Sequence, residues 1–162
     1  MGLTEGKLTT FYKIKEIFSR EFYLDSLCFK QRSILTKFRL SAHSLRIETG
    51  RCEKCKDEGG NVKKKLDREQ RKCLFCNFDK VEDELHFLFE CPFYIKERCL
   101  FVNEIQILCS NFSYLNNYDK LYWLFNNEEP KIYMAISTFL QKSFETRKAV
   151  NCKDKSTSSP SI

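Results

Sequence analysis

Apolar positions along this chain recur mostly every three or four residues, the period of a helix with one buried face. Residues 8–24 align Phe11, Ile14, Ile17, Phe18 and Phe22 on a stripe, with Lys13, Lys15, Glu16, Ser19 and Arg20 outside it, and predict a first helix. Residues 29–40 predict a second, with Ile34, Leu35 and Phe38 on its apolar face. Three more are predicted over 93–108, 117–126 and 130–148. The last opens on Glu128, Glu129 and Pro130, because proline suits a first turn and acidic groups favour a helix N-terminus. It places Ile132, Ala135, Ile136, Phe139 and Leu140 on one face. One stretch has a different period: Leu45, Ile47 and Thr49 alternate with Arg46 and Glu48, a short strand signature that ends at Gly50. Residues 52–72 are polar, carry Gly59-Gly60 and read as a loop, and the small polar residues 151–162 predict disorder. The expected fold class is mainly α, a small helical domain with a short β hairpin near 45–49 and 71–74. Ile34, Phe38, Leu85, Leu88, Ile136 and Phe139 are expected to be buried. The segments are an N-terminal helical part (1–50), a central module (51–98), C-terminal helices (99–150) and a tail (151–162).

The second organising feature is chemical. Residues 73–91, CLFCNFDKVEDELHFLFEC, carry the spacing C-x2-C-x9-H-x4-C. Thiolates and imidazole are the donors of closed tetrahedral zinc sites, and two residues between cysteines form a turn that aims both sulfurs at one point. Val81, Leu85, Leu88 and Phe89 predict a short helix over 81–90, with Asp79 and Glu82 as its start. His86 and Cys91 then stand about 140° apart on an α-helix, so the helix must end between them. Pro92 supplies the reason, since it biases Cys91 out of helical geometry. The expectation is one Zn2+ on Cys73, Cys76, His86 and Cys91, in a zinc-knuckle-like module of three cysteines and one histidine. A second pair, Cys52 and Cys55, offers C-x2-C-x17-C-x2-C with Cys73 and Cys76 and stays open as an alternative ligand set. Cys28, Cys99, Cys109 and Cys152 are expected to be free thiols, and His43 to be a hydrogen-bonding residue.

Charge adds a partner. The 162 residues carry a formal net charge of +6. Nine basic residues against five acidic ones lie in 51–72, directly beside the predicted site. A basic segment there suggests polyanions, with RNA or single-stranded DNA first. The candidate contacts are Lys30, Lys37, Arg39, Arg51, Lys63, Lys64, Lys65, Arg71 and Lys72, and Phe75, Phe78, Phe87 and Phe89 could stack on bases or pack. On helix 29–40, Lys30 and Lys37 flank one side of the apolar stripe, and Arg32 and Arg39 the other. No run approaches 18 apolar residues, which excludes a membrane-spanning helix on sequence. The first residues lack the apolar stretch of a secretion signal and are a poor myristoylation site. Nine cysteines therefore read as an intracellular metal and thiol inventory, nuclear or cytoplasmic.

Enzyme signatures are missing. There is no Gly-rich phosphate loop, no G-x-S-x-G and no H-E-x-x-H. The H-x-E and P-C-x-x-C strings of zinc deaminases are also missing. The expected function is non-catalytic, with no small-molecule substrate. A zinc-stapled protein-interaction scaffold and a functionless relic are the competing readings.

Several strings carry a family resemblance: LTKFRLSAHSLRIETGR (35–51), RKCLFC (71–76), VEDELHFLFECPFYIKER (81–98) and LYWLFNNEEPKIYMAISTFLQKSFETRK (121–148). Together they resemble the C-terminal region of reverse transcriptases from non-LTR (LINE-type) retrotransposons, over roughly residues 8–148. In that family the positions matching Cys73, Cys76, His86 and Cys91 form a zinc module behind the polymerase, implicated in holding RNA or target DNA. Two features depart from the family pattern. The segment between Arg51 and Arg71 is longer and carries Cys52 and Cys55, and the polymerase with its Asp-Asp string is absent. The resemblance thus implies a nucleic-acid-binding tail detached from its catalytic domain.

Overall fold

The computed structural model describes residues 9–15, 19–57 and 60–156, by backbone alone at 9, 13, 53–57, 60–64 and 151–156. Among these the fold is mainly α. In chain order the helices are α1 (Thr9–Ile14), α2 (Tyr23–Ser26), α3 (Phe29–Arg39), α4 (Arg46–Thr49), α5 (Ile95–Leu108), α6 (Asn117–Phe125) and α7 (Pro130–Ser156). One antiparallel pair, β1 (Glu53–Asp57) with β2 (Gly60–Lys64), lies between α4 and α5 in sequence, with Cys55 opposite Val62. No described helix is long and apolar enough to cross a membrane.

Helix α7 is the spine, packing against α3 and α5 and also touching α2 and α6. Its start follows from local chemistry. Pro130 occupies the first position, where its missing N–H is no loss, and the Glu129 carboxylate accepts the Lys131 N–H at 3.2 Å. Helix α6 is capped by Asn116, whose side-chain oxygen accepts the N–H groups of Tyr118 and Asp119, each at 2.9 Å. Their apolar faces meet in one core: Leu35 and Phe38 of α3, Phe101 and Ile105 of α5, Leu121 and Leu124 of α6, Ile136 and Phe139 of α7. Leu88, Ile136 and Phe139 are buried as the periodicity predicts, whereas Ile34 and Leu85 are only half-buried.

The segment 84–90 plugs into this core. Phe87 is fully buried and touches the rings of Tyr94 (4.7 Å), Phe144 (5.1 Å), Phe139 (5.6 Å) and Phe38 (5.9 Å). Burying such a ring is worth about 1.5–3 kcal/mol, so the candidate metal module and the helices share one hydrophobic centre.

Four expectations are corrected. The continuous helix over 8–24 is not formed: α1 stops at Ile14, Ser19–Glu21 are not helical, and Ile17 and Phe18 lie outside the described residues. There the Glu21 carboxylate turns inward to Lys15 (2.5 Å) and to the buried Arg39 (2.9 Å). The strand over 45–49 is instead the single helical turn α4. Its first N–H groups are taken by Glu82, whose carboxylate accepts from Arg46 at 2.7 Å and whose main-chain oxygen accepts from Ile47 at 3.1 Å. Strand pairing occurs in the segment read as a loop, at β1 and β2, and not at 45–49. Helix α7 runs past Asn151, where disorder was expected, to Ser156. The rest of the tail, 157–162, lies outside the described residues.

Candidate metal centre

Two backbone devices bring the four donors together. The first is a tight loop over 71–82. The Cys73 N–H donates to the Lys80 carbonyl and the Glu82 N–H to the Arg71 carbonyl, both at 2.9 Å, with Lys72 bridged to Val81. Asp79 closes the loop at φ 51°, a left-handed conformation that Asp tolerates because its short side chain can bond locally. The Lys72 ammonium donates to the Asp79 carbonyl at 2.7 Å.

The second device is a π-helical turn, His86–Glu90. The sequence places the helix start at Asp79 and Glu82, but the cap is Asp83, whose carboxylate accepts the His86 N–H at 3.0 Å. The turn then widens: the Cys91 N–H donates to the His86 carbonyl at 2.8 Å, an i→i+5 bond. Such a ring brings residues five apart toward one side, closer than the divergence of an α-turn allows. Cys91 itself is extended, at φ −61° and ψ 118°, as Pro92 demands. His86 and Cys91 therefore converge on one side, while Phe87 and Leu88 enter the core on the other.

The donor atoms of Cys73, Cys76, His86 and Cys91 all lie within 4.8 Å of one another. Two opposite edges are the Cys73–Cys91 sulfur pair at 3.8 Å and Cys76 Sγ to His86 Nε2 at 3.4 Å. A tetrahedral ion held about 2.3 Å from sulfur and 2.0–2.1 Å from nitrogen has edges of about 3.5–3.8 Å, so the set fits a metal ion with small inward movement. Cys73, His86 and Cys91 are buried and Cys76 is half-buried. Without an ion, two of the thiols, Cys73 and Cys76, resist ionisation. Donation to Cys91, and burial, push the Cys73 thiol up to about 12. The Cys91 thiol is held below its ordinary value by that same contact. Burial opposes the charged His86 ring, but its contacts with Cys73 and Glu90 leave its pKa raised. A bound cation reverses this balance by displacing the protons.

The Phe75 main-chain N–H donates to Cys73 Sγ at 3.5 Å, and the main-chain N–H groups of Phe78 and Phe93 favour the thiolate forms of Cys76 and Cys91. Cations surround the site. Arg147, buried on α7, donates to both oxygens of the fully buried Glu82, to Tyr94 Oη (3.1 Å) and to the Ser44 carbonyl (3.1 Å). Its guanidinium also lies 4.3 Å from the Phe75 ring centre. Glu82 Oε1 lies 3.7 Å from Cys73 Sγ. Arg98 donates to the carbonyls of Leu88 (2.8 Å) and Cys91 (2.6 Å).

Cys52 is exposed and outside the cluster, and the Cys55 side chain lies outside the described residues, so the alternative ligand set gains no support. Cys28, Cys99 and Cys109 are free, and Cys152 is outside the described side chains. His43 is a hydrogen-bonding residue, its Nε2 3.0 Å from the Glu84 carboxylate.

The nine candidate phosphate contacts divide sharply. Arg39 and Arg71 are corrected to structural residues. Both are buried; Arg39 donates to the Phe125 carbonyl (3.0 Å), and Arg71 to those of Leu66 (2.7 and 3.0 Å) and Ile47 (3.1 Å). Arg51 pairs with Glu48 at 2.9 Å and Lys72 with Asp79 at 3.2 Å. Lys63 and Lys64 sit on β2, with side chains outside the described set, and Lys65 is exposed. Lys30 and Lys37 are exposed and, with Lys148 of α7, line an open groove of 440 Å³ over Ile34, Phe38 and Phe144. Phe29 stands at the groove, 77% exposed, and among the described residues no carboxylate lines it.

Sequence reading missed Arg147, Glu82 and Lys148 as partners of these sites. Arg147 had a signal: it continues the buried row Ile136, Leu140, Ser143 at helical spacing, where a lone cation calls for a buried carboxylate. No family model, curated protein or solved structure matches the chain.

Proposed function

We propose that this chain is a non-catalytic, zinc-stapled module that binds RNA or single-stranded DNA. Zinc is the metal favoured by three thiolates and one imidazole, and four protein donors leave no coordination position for substrate chemistry. The observation that carries the nucleic-acid reading is the α3–α7 groove. Lys30, Lys37 and Lys148 stand around an apolar floor beside the exposed Phe29, with no acidic residue among the described lining residues. Cations for phosphates beside an aromatic face for a base are the recurring parts of single-strand sites. The resemblance to a retrotransposon reverse-transcriptase tail supports the same reading.

The test is binding of a fluorescent single-stranded RNA to the zinc-loaded chain at several salt concentrations. Three phosphate contacts predict a log–log slope near −2, at about −0.7 per contact. Changing Lys30, Lys37 and Lys148 together to Gln should weaken binding at low salt and flatten the slope. The same change at Lys63, Lys64 and Lys65 reports whether the β2 segment contributes. An intact, zinc-bound chain that ignores RNA at low salt refutes the reading. It would favour the scaffold alternative, which draws on the exposed apolar side chains Ile107 and Met134 at the α5–α7 surface.

A further inference from the structure

We infer that Glu90 is the positioning residue of the metal centre: its carboxylate accepts the Nδ1–H of His86 and so aims Nε2 at the ion. This rests on the metal reading above and goes beyond its four ligands.

The geometry is specific. Nε2 of His86 faces Cys76 Sγ at 3.4 Å and is the ligand nitrogen. Nδ1 is buried and makes no hydrogen bond, and the atom it faces is Glu90 Oε2 at 3.6 Å. That distance suffices for an ion-pair contact but exceeds hydrogen-bond range. A buried ring N–H without an acceptor is costly, so the position calls for a partner within about 0.8 Å of where Glu90 already stands. Glu90 is held there from two sides. The Lys80 ammonium donates to Oε2 at 2.8 Å, and the Asn117 side-chain amide donates to Oε1 at 2.9 Å. Because Lys80 lies in the Cys73–Val81 loop and Asn117 opens α6, Glu90 ties three elements to the histidine. With Nε2 on the metal, neutral imidazole must carry its proton on Nδ1, and a carboxylate acceptor raises ligand basicity.

The experiment uses the full chain with Zn2+ in three forms: wild type and the two variants Glu90→Gln and Glu90→Ala. Zinc affinity is measured by chelator competition, and the His86 Nδ1–H proton is followed by NMR in the zinc-loaded protein. Thermal stability is recorded with chelator present. In the wild type, the Nδ1–H should resonate far downfield and exchange slowly. Glu90→Ala should lose that signal and bind zinc about 10–100-fold more weakly. Glu90→Gln keeps an acceptor oxygen and should fall between. Unchanged affinity and an unchanged Nδ1–H signal in Glu90→Ala overturn the inference. So does an affinity loss fully matched by lost stability in chelator, because Glu90 is then only a structural strut. A wild type that binds no zinc brings down the metal reading itself, a distinct outcome from wild type and Glu90→Ala binding equally.

Discussion

Replacing Arg147 by Met tests how the Cys3His module is held to the helical core. Met keeps most of the apolar stem and removes the charge. Glu82, fully buried, then loses the guanidinium that contacts both its oxygens. Stranding one member of a buried ion pair costs about 3–5 kcal/mol. Glu82 keeps the Arg46 N–H at 2.7 Å, which places the loss at the low end, about 3 kcal/mol. The lost contact with the Phe75 ring adds about 1 kcal/mol. The sum, about 4 kcal/mol, is a large share of the roughly 5–15 kcal/mol that a domain has in total. At about 2–4 °C per kcal/mol for a chain of this size, the unfolding midpoint should drop by roughly 8–16 °C. Glu82→Gln removes the buried charge from the other side, so the double variant should lose less than the two single losses combined. The coupling should reach about 2–3 kcal/mol. Urea and thermal unfolding with saturating zinc measure all four proteins. A loss under about 1 kcal/mol for Arg147→Met, or strict additivity with Glu82→Gln, would show that the pair is not the joint described here.

Zinc affinity should fall steeply on acidification. Bound thiolates and neutral imidazole have shed protons that the free groups hold below about 8.5 and 6.5. In the absence of a cation, Cys73, raised to about 12 from 9.0, stabilises the fold below pH 9 and loses that contribution as pH rises toward 12; metal binding takes the proton off instead. Chelator competition at pH 6 and 7 should differ by at least about a hundredfold, and a change under tenfold would exclude the sulfurs as ligands. Gly50→Ala should destabilise the fold by about 1–3 kcal/mol, because its new Cβ would lie 2.8 Å from Arg71 Cγ and Arg71 is fixed by three hydrogen bonds. Urea unfolding checks this, and a loss under about 0.5 kcal/mol would show that Arg71 can shift.

The sequence is most legible where one physical signal dominates. Helices α3, α5 and α6 follow from period, and α7 from period with the Pro130 start, and the four clustered donors follow from ligand chemistry and spacing. It is least legible where distant groups decide. Leu45–Thr49 alternates like a strand, but Glu82 takes the N–H groups that a sheet would have used. The helical stripe over 8–24 fails where Glu21 turns toward Arg39, eighteen positions on. The basic count over 51–72 overstated the surface charge, because Arg71 donates to carbonyls inside the protein, as Arg39 of α3 also does. A cation's role depends on burial, and composition carries no burial information.

The x4 spacing between His86 and Cys91 is the feature that couples the candidate metal site to the core. In α-geometry the two residues would diverge by about 140°, and the site would lack a donor. A π-turn removes that divergence, but π-helical hydrogen bonding is rare and is found mostly as single turns, so something must favour it locally. Here both faces of the turn do. His86 and Cys91 are drawn together on one side with Cys73 and Cys76, and Phe87 and Leu88 fill the core on the other. Relaxing to an α-turn would give up a ligand on the first face and rotate Phe87 away from Phe139, Phe144 and Tyr94 on the second. Neither face can be satisfied alone without the geometry that serves the other. The binding energy of an ion held by these four donors would therefore also be packing energy for α7, transmitted through five residues of backbone.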